Sequence, residues 1–336
     1  MVEPGWERDT MAREYLHRLH AAYAIPEHVL VDVVKGVTGH EVTSRQRIVQ
    51  GYANEVYRVG TRQGNQFIVR IRRHEAVGFV EEAWAMARCR AAGAPVPDVY
   101  GVTRVDVDGQ AREIMVLELV TGRALSDVVM GLTPWEREQV LTRVGAVMST
   151  IHGVKIDGFG RLRPDGRWES PDWDSYVQAI PRERSKDAPF LIQAGLHETE
   201  VDSLLYLLAR LPTVARSQPV LCHADLAMSH LFVDDQLNLT GVIDFGQWRG
   251  GTPALDFAVL RMYHPEIDLA WLKRGYQDQA IFNQTFPLQL LIHQANMTIG
   301  YLGFDIPRGN TDYLSDALFG LRVILRDWQR LKSVGS

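Results

Sequence analysis

Apolar residues in this 336-residue chain alternate with polar ones up to about Gly122 and recur at helical spacing beyond it. A period of two selects strands and a period near 3.6 selects helices, so one chain carries two differently built parts. The first part opens with helix-like spacing from Trp6 to Tyr23. "RIVQGYANEVYRVGTRQGNQFIVRIRR" then alternates around the turn "RQGN", "GFVEEAWAMARCRAA" reads as a helix closed by Gly93, and "DVYGVTRVDVDGQAREIMVLELVTG" gives two further strands. The second part reads as helices at Pro134–His152, Glu198–Leu211, Leu255–Tyr263, Leu269–Phe282, Leu288–Tyr301 and Thr311–Lys332. "GFGRLRPDGRWESPDW" and "IPRERSKDAPF" are rich in Gly, Pro and charge and read as surface loops. The expected class is α+β with two lobes: 1–120, an opening helix, an antiparallel sheet and one internal helix, and 121–336, mainly helical.

Bulk properties narrow the partners. A hydrophobic content of 46% supports substantial cores, and a formal charge of −5 argues against nucleic acid or anionic lipid as a partner. The two cysteines, Cys89 and Cys222, sit in apolar segments and read as reduced core residues. The first residues lack a secretory pattern and no uncharged apolar run of about 18 residues occurs, so a cytoplasmic protein with no membrane span is expected.

One stretch inside the helical part breaks its pattern. "VLCHADLAMSHLFVDDQLNLTGVIDFG" reads as short strands separated by His223, Asp225 and His230 and ending at Asp244. A hairpin that brings Asp225 and Asp244 to one end would assemble two carboxylates and an imidazole, which suits a hard divalent cation plus an acid that orients a hydroxyl.

The ordered set "HADLAMSH" and "VIDFG", with 19 residues from Asp225 to Asp244, resembles the aminoglycoside phosphotransferase and choline-kinase-like family, relatives of protein kinases. "QGYANEVYRV", "FIVRI", "EEAWAMARC" and "MVLELVTGRAL" are similar to that family's nucleotide loop, third strand, ion-pairing helix and hinge, so the resemblance runs over most of the chain. It implies a bilobal protein-kinase-like fold with ligands in a cleft between lobes. It also implies transfer of the γ-phosphate of ATP or GTP to a hydroxyl, with Mg2+.

Residue by residue, the resemblance makes Asp225 the group that takes or orients the acceptor proton and Asp244 a magnesium ligand. Arg70 stands where the family has a phosphate-binding lysine, with Arg72 as the fallback and Glu82, or Glu81, as its ion-pair partner. Gly51 and Asn54 would face the phosphates, and Glu118 and Val120 would offer backbone groups to the purine. His223 and Asp256 would brace the catalytic loop, although Thr252 replaces the family's usual acid nearby.

His230 departs from the family's asparagine. An imidazole is a softer donor than magnesium prefers, so His230 either ligates a metal or bonds the loop backbone. Macrolide phosphotransferases carry such a histidine, which tilts the substrate expectation toward an antibiotic, macrolide or aminoglycoside. Trp271, Tyr276, Phe282, Phe286, Met297 and Tyr301 would suit a large apolar ligand, or simply form helix core. Three alternatives stand beside this reading: a kinase-like nucleotide binder with little catalysis, a kinase of a small metabolite such as choline, and a metal-dependent hydrolase built on His223, Asp225, His230 and Asp244.

Overall fold

A computed structural model describes residues 25–49, 54–72, 78–107, 109–311 and 313–334. The opening helix expected at Trp6–Tyr23 lies outside the described residues. The chain divides into two compact units, one of residues 1–91, 95–121 and 240–246, the other of 92–94, 122–239 and 247–336.

In the first unit, helix α1 (Glu27–Thr38) ends at Gly39, whose φ of 74° closes the last turn in the left-handed region. Strands β1 (Val42–Ile48), β2 (Asn54–Thr61) and β3 (Gln66–Arg72) follow, then helix α2 (Phe79–Ala91), β4 (Val99–Val107) and β5 (Gln110–Glu118). The five strands form one sheet in the order β1-β2-β3-β5-β4, with every neighbour antiparallel. Alternation along the strands sends Val59, Phe67, Val69, Ile71, Ile114 and Val116 to one face, where Leu30 and Val34 of α1 cover them. Each such side chain contributes about 1.5–3 kcal/mol when fully buried.

A returning segment completes this unit. The Val242 amide donates to Pro95 O at 2.7 Å and the Thr240 hydroxyl to Thr121 O at 2.6 Å. Gly241 is required there, because a Cβ would meet Val120 Cγ1 at 2.3 Å. Asp244 follows with a φ of 65°, which turns the chain sharply after the strand.

The second unit is mainly helical, beginning with the two-residue strand β6 (Arg123–Ala124) and α3 (Pro134–His152). Thr133 and Glu136 close a reciprocal capping box around Pro134, which is why α3 starts there. Strands β7 (Phe159–Leu162) and β8 (Trp168–Ser170) precede α4 (Trp173–Ser185) and α5 (Glu198–Leu208). Next come β9 (Val220–Cys222), β10 (Leu231–Val233), which pairs with β6, and β12 (Arg249–Gly251); between β10 and β12, β11 (Leu239–Val242) opens the segment that returns to the first unit. Helices α6 (Ala254–Tyr263), α7 (Leu269–Gly275), α8 (Phe286–Asp305) and α9 (Leu314–Val334) finish the chain. Trp173, Tyr176, Leu204, Leu208, Ile292, Ile299 and Leu321 lie in one core among α4, α5, α8 and α9.

Two expected loops are regular structure. "GFGRLRPDGRWESPDW" contains the β7/β8 hairpin, with Phe159 opposite Ser170. "IPRERS" is the last turn and a half of α4, where Trp173, Tyr176, Val177 and Ile180 bury one face. That burial outweighs the helical hydrogen bond forfeited at Pro181. The aromatic segment divides too: Tyr276, Phe286 and Met297 are buried, and Phe257, Tyr276, Phe282 and Phe286 pack ring on ring. Among the described residues no helix is long and apolar enough to cross a membrane.

Candidate active site

In the first unit, β3 and α2 place two opposite charges in the interior. Arg70 is 7% exposed and Glu82 2%, and their side chains form a hydrogen-bonded ion pair. The other arm of the guanidinium, Nη2, donates to Asp244 Oδ1 at 2.9 Å, and the Phe79 ring lies 5.3 Å from its carbon. Burial works against the Arg70 charge, yet the fields of Glu82 and Asp244 hold its pKa above the ordinary value. Burial also pushes the Glu82 carboxyl up while Arg70 draws it down. A guanidinium does not release its proton in this range, so the Arg70 charge persists.

Arg70 is therefore not part of a solvated basic face. Arg72, two residues on, belongs to a separate pair with Glu113 at 2.9 Å. Asn54 opens β2 opposite Arg72, and Gly51 lies outside the described residues. The Glu118 amide donates to Asp98 O at 2.9 Å. Val120 packs over Gly241.

In the second unit the loop after β9 is organised by one buried carboxylate. Asp256, on the first turn of α6 and 1% exposed, accepts from the His223 amide at 2.9 Å, the Ala224 amide at 2.7 Å and His152 Nε2 at 2.9 Å. Burial opposes its charge, but the His152 contact, His223 and the Ala224 amide hold its carboxyl below the usual range. The two amides belong to a tight bend in which Ala224 has a φ of 60°. Fully buried His223 accepts the Asp225 amide on Nδ1 at 3.3 Å. Thr252, which stands in the place of an acid, pairs with His293 Nε2 at 2.9 Å. Burial lowers His293 to about 4, so that pair is uncharged near neutrality.

The bend carries Asp225 to a pair of phenols. Tyr263, at the end of α6, donates to Asp225 Oδ1 at 2.7 Å, and Tyr301 of α8 approaches the same oxygen at 3.4 Å. Burial pushes both phenols up, so neither competes with the carboxylate for charge.

His230 closes the loop. Its Nδ1 lies 2.7 Å from Asp225 O, and a carbonyl only accepts, so Nδ1 carries a proton. The backbone role thus exists. A histidine tied to a carbonyl through one nitrogen is the arrangement of a metal ligand that presents the other.

Sequence reasoning did not single out His152, Tyr263 or the bond of Arg70 to Asp244. His152 is the last residue of α3 and also meets Tyr276 Oη at 2.9 Å. Its only sequence signal is its place before Gly153 in "IHGVKIDGFG".

The model of a family described as Phosphotransferase enzyme family matches residues 44–286. The chain belongs to this family. It is an enzyme, a small-molecule kinase with an alcohol group as acceptor. That assignment displaces the metal-dependent hydrolase alternative. Solved structures share its protein-kinase-like fold. The chain is similar to a thermostable mutant of the aminoglycoside phosphotransferase APH(4)-Ia, at 19% identity over 88% of this chain and 98% of that one, with a TM-score of 0.68. It is also similar to the amicoumacin kinase hAmiN, in complex with AMP-PNP, Ca2+ and Ami, at 16% identity over 85% and 92% of the chains, TM-score 0.57. A GDP and kanamycin complex of APH(2")-IIia matches at 15% identity over 88% and 98%, TM-score 0.59. No curated protein matches.

Proposed function

We propose that this phosphotransferase moves the γ-phosphoryl group of ATP or GTP to a hydroxyl of a small molecule, with an antibiotic of the aminoglycoside or macrolide kind as one acceptor class and a small hydroxylated metabolite as the other. Asp225 orients the acceptor hydroxyl and takes its proton as the oxygen attacks phosphorus. Arg70, aimed by Glu82, supplies fixed positive charge to the donor phosphates, and a guanidinium keeps that charge at every working pH. Asn54 faces the donor phosphates, and Glu118 and Val120 meet the purine through backbone groups.

The donor sets differ in their fit to magnesium. Asp244 offers the carboxylate oxygen that a hard cation takes. His230 offers nitrogen, which fits a second, softer metal better than magnesium. Bound at Asp244, magnesium supplies charge neutralisation across the phosphates.

The observation that carries the reading is the grip on Asp225. Its backbone is fixed through Asp256, and two neutral phenols take one carboxylate oxygen. That grip fixes the carboxylate in the loop, where an acceptor hydroxyl would meet it. The experiment is nucleotide consumption with Mg2+, using ATP and GTP separately, against aminoglycosides, macrolides, choline and small hydroxylated metabolites, with product mass as readout. A gain of one phosphoryl group on one acceptor class is expected. Bound nucleotide with no phosphorylated product across the panel would instead favour the nucleotide-binder alternative.

A further inference from the structure

The sheet beside the catalytic loop carries a like-charge pair that the proposed chemistry does not use. Its strands run β8-β7-β12-β9, and β12 is antiparallel to both neighbours. Gly250 faces Gly160, which sets Arg249 of β12 directly opposite Arg161 of β7, and on the other side Arg249 faces Cys222, the residue before His223. The strands approach closely because Gly250 has no side chain: a Cβ there would lie 2.0 Å from Gly158 O.

Both guanidinium groups converge on one atom. Arg249 Nη2 donates to Gln247 Oε1 at 3.2 Å, and Arg161 Nη2 donates to that same oxygen. Like charges directly opposite across a strand pair destabilise it. Burial pushes the Arg161 guanidinium down to about 10, and the charge of Arg249 adds to the shift. The acid that opposes this, Glu169, is exposed and accepts the Arg161 backbone amide at 2.9 Å. Tyr301 links the pair to the chemistry: its phenol feels the charge of Arg249 and of Asp225, and it reaches Asp225 Oδ1.

We infer that Arg161 and Arg249, held together by Gln247, form a subsite for an anionic group on the acceptor, a carboxylate, phosphate or sulfate ester, while the hydroxyl to be phosphorylated sits at Asp225. An anion between two guanidiniums takes several charge-assisted hydrogen bonds and relieves their repulsion. This inference rests on the kinase reading for the role of Asp225, and it favours an acidic metabolite over a polycationic antibiotic.

The test uses inorganic sulfate as probe on the full chain. Thermal midpoints are read across a sulfate series at constant ionic strength set with chloride, with and without saturating AMP-PNP and Mg2+. The wild type is expected to be stabilised by sulfate in both conditions. Arg161→Gln and Arg249→Gln are expected to weaken the apparent sulfate affinity by at least about tenfold, and Arg249→Lys less, because only the fork geometry is lost. Equal sulfate responses in wild type and both Gln variants would overturn the subsite, as would a response abolished by AMP-PNP, which would assign the arginines to the nucleotide. An intact sulfate response with no AMP-PNP response would sink the nucleotide reading and leave the anion subsite standing.

Discussion

The two units hold their functional carboxylates by opposite means. In the first, Asp244 and Glu82 share one buried cation, Arg70, which holds all three side chains together. In the second, Asp225 meets neutral phenols, and the loop beneath it hangs on hydrogen bonds to Asp256. A charge-compensated cluster keeps its geometry only while every member is present, because removing one leaves another ionised in a poor solvent. A neutral grip adds no charge to its carboxylate. The difference fits the roles proposed here, electrostatic for Arg70 and protonic for Asp225.

The comparison breaks most strongly at the cation. Arg70→Met should cost about 3–5 kcal/mol, the cost of breaking a buried ion pair. Urea unfolding would measure it, and nucleotide affinity should fall with it. An unchanged unfolding midpoint would mean that Glu82 and Asp244 find other compensation.

The neutral side sharpens the contrast at Asp256. Asp256→Asn presents an amide N–H toward backbone amides, and should cost about 1–3 kcal/mol for the donor left unsatisfied. Turnover should fall while AMP-PNP affinity stays within a factor of about three, a change below 1 kcal/mol. The wild type carries a pH signature as well. The folded pKa of Asp256 lies below its unfolded value near about 3.9, so its contribution is complete above that pH and fades as the pH falls toward the folded value. The Asn variant should lose that part of the acid dependence.

Much of this was legible in the sequence. Period-two alternation marked four strands of the five-stranded sheet and missed β1, whose side chains are mostly exposed and do not alternate, and the spacing of "HADLAMSH" and "VIDFG" marked the loops that carry Asp225 and Asp244. Glu82 could be chosen for Arg70 because it lies in the first turn of the helix after β3. What stayed hidden depends on register or on distant helices. Arg161 and Arg249 oppose each other only because β12 inserts beside β7, and neither residue is unusual in its own segment. Tyr263 and Tyr301 reach Asp225 from two helices, and Tyr301 was indistinguishable from the apolar residues around it. The segment "IPRERS" misled because its proline and charges outweighed, on inspection, the four apolar residues that bind α4 to the core.

The most direct test of the account is Asp225→Ala, measured twice on the same preparation: turnover with the phosphorylated product as readout, and AMP-PNP affinity in the presence of Mg2+. The account predicts transfer reduced by about a thousandfold or more, the scale of losing a catalytic base and its positioning together, with nucleotide affinity nearly unchanged. Transfer that survives the substitution, or affinity lost in step with transfer, would contradict the role assigned to Asp225.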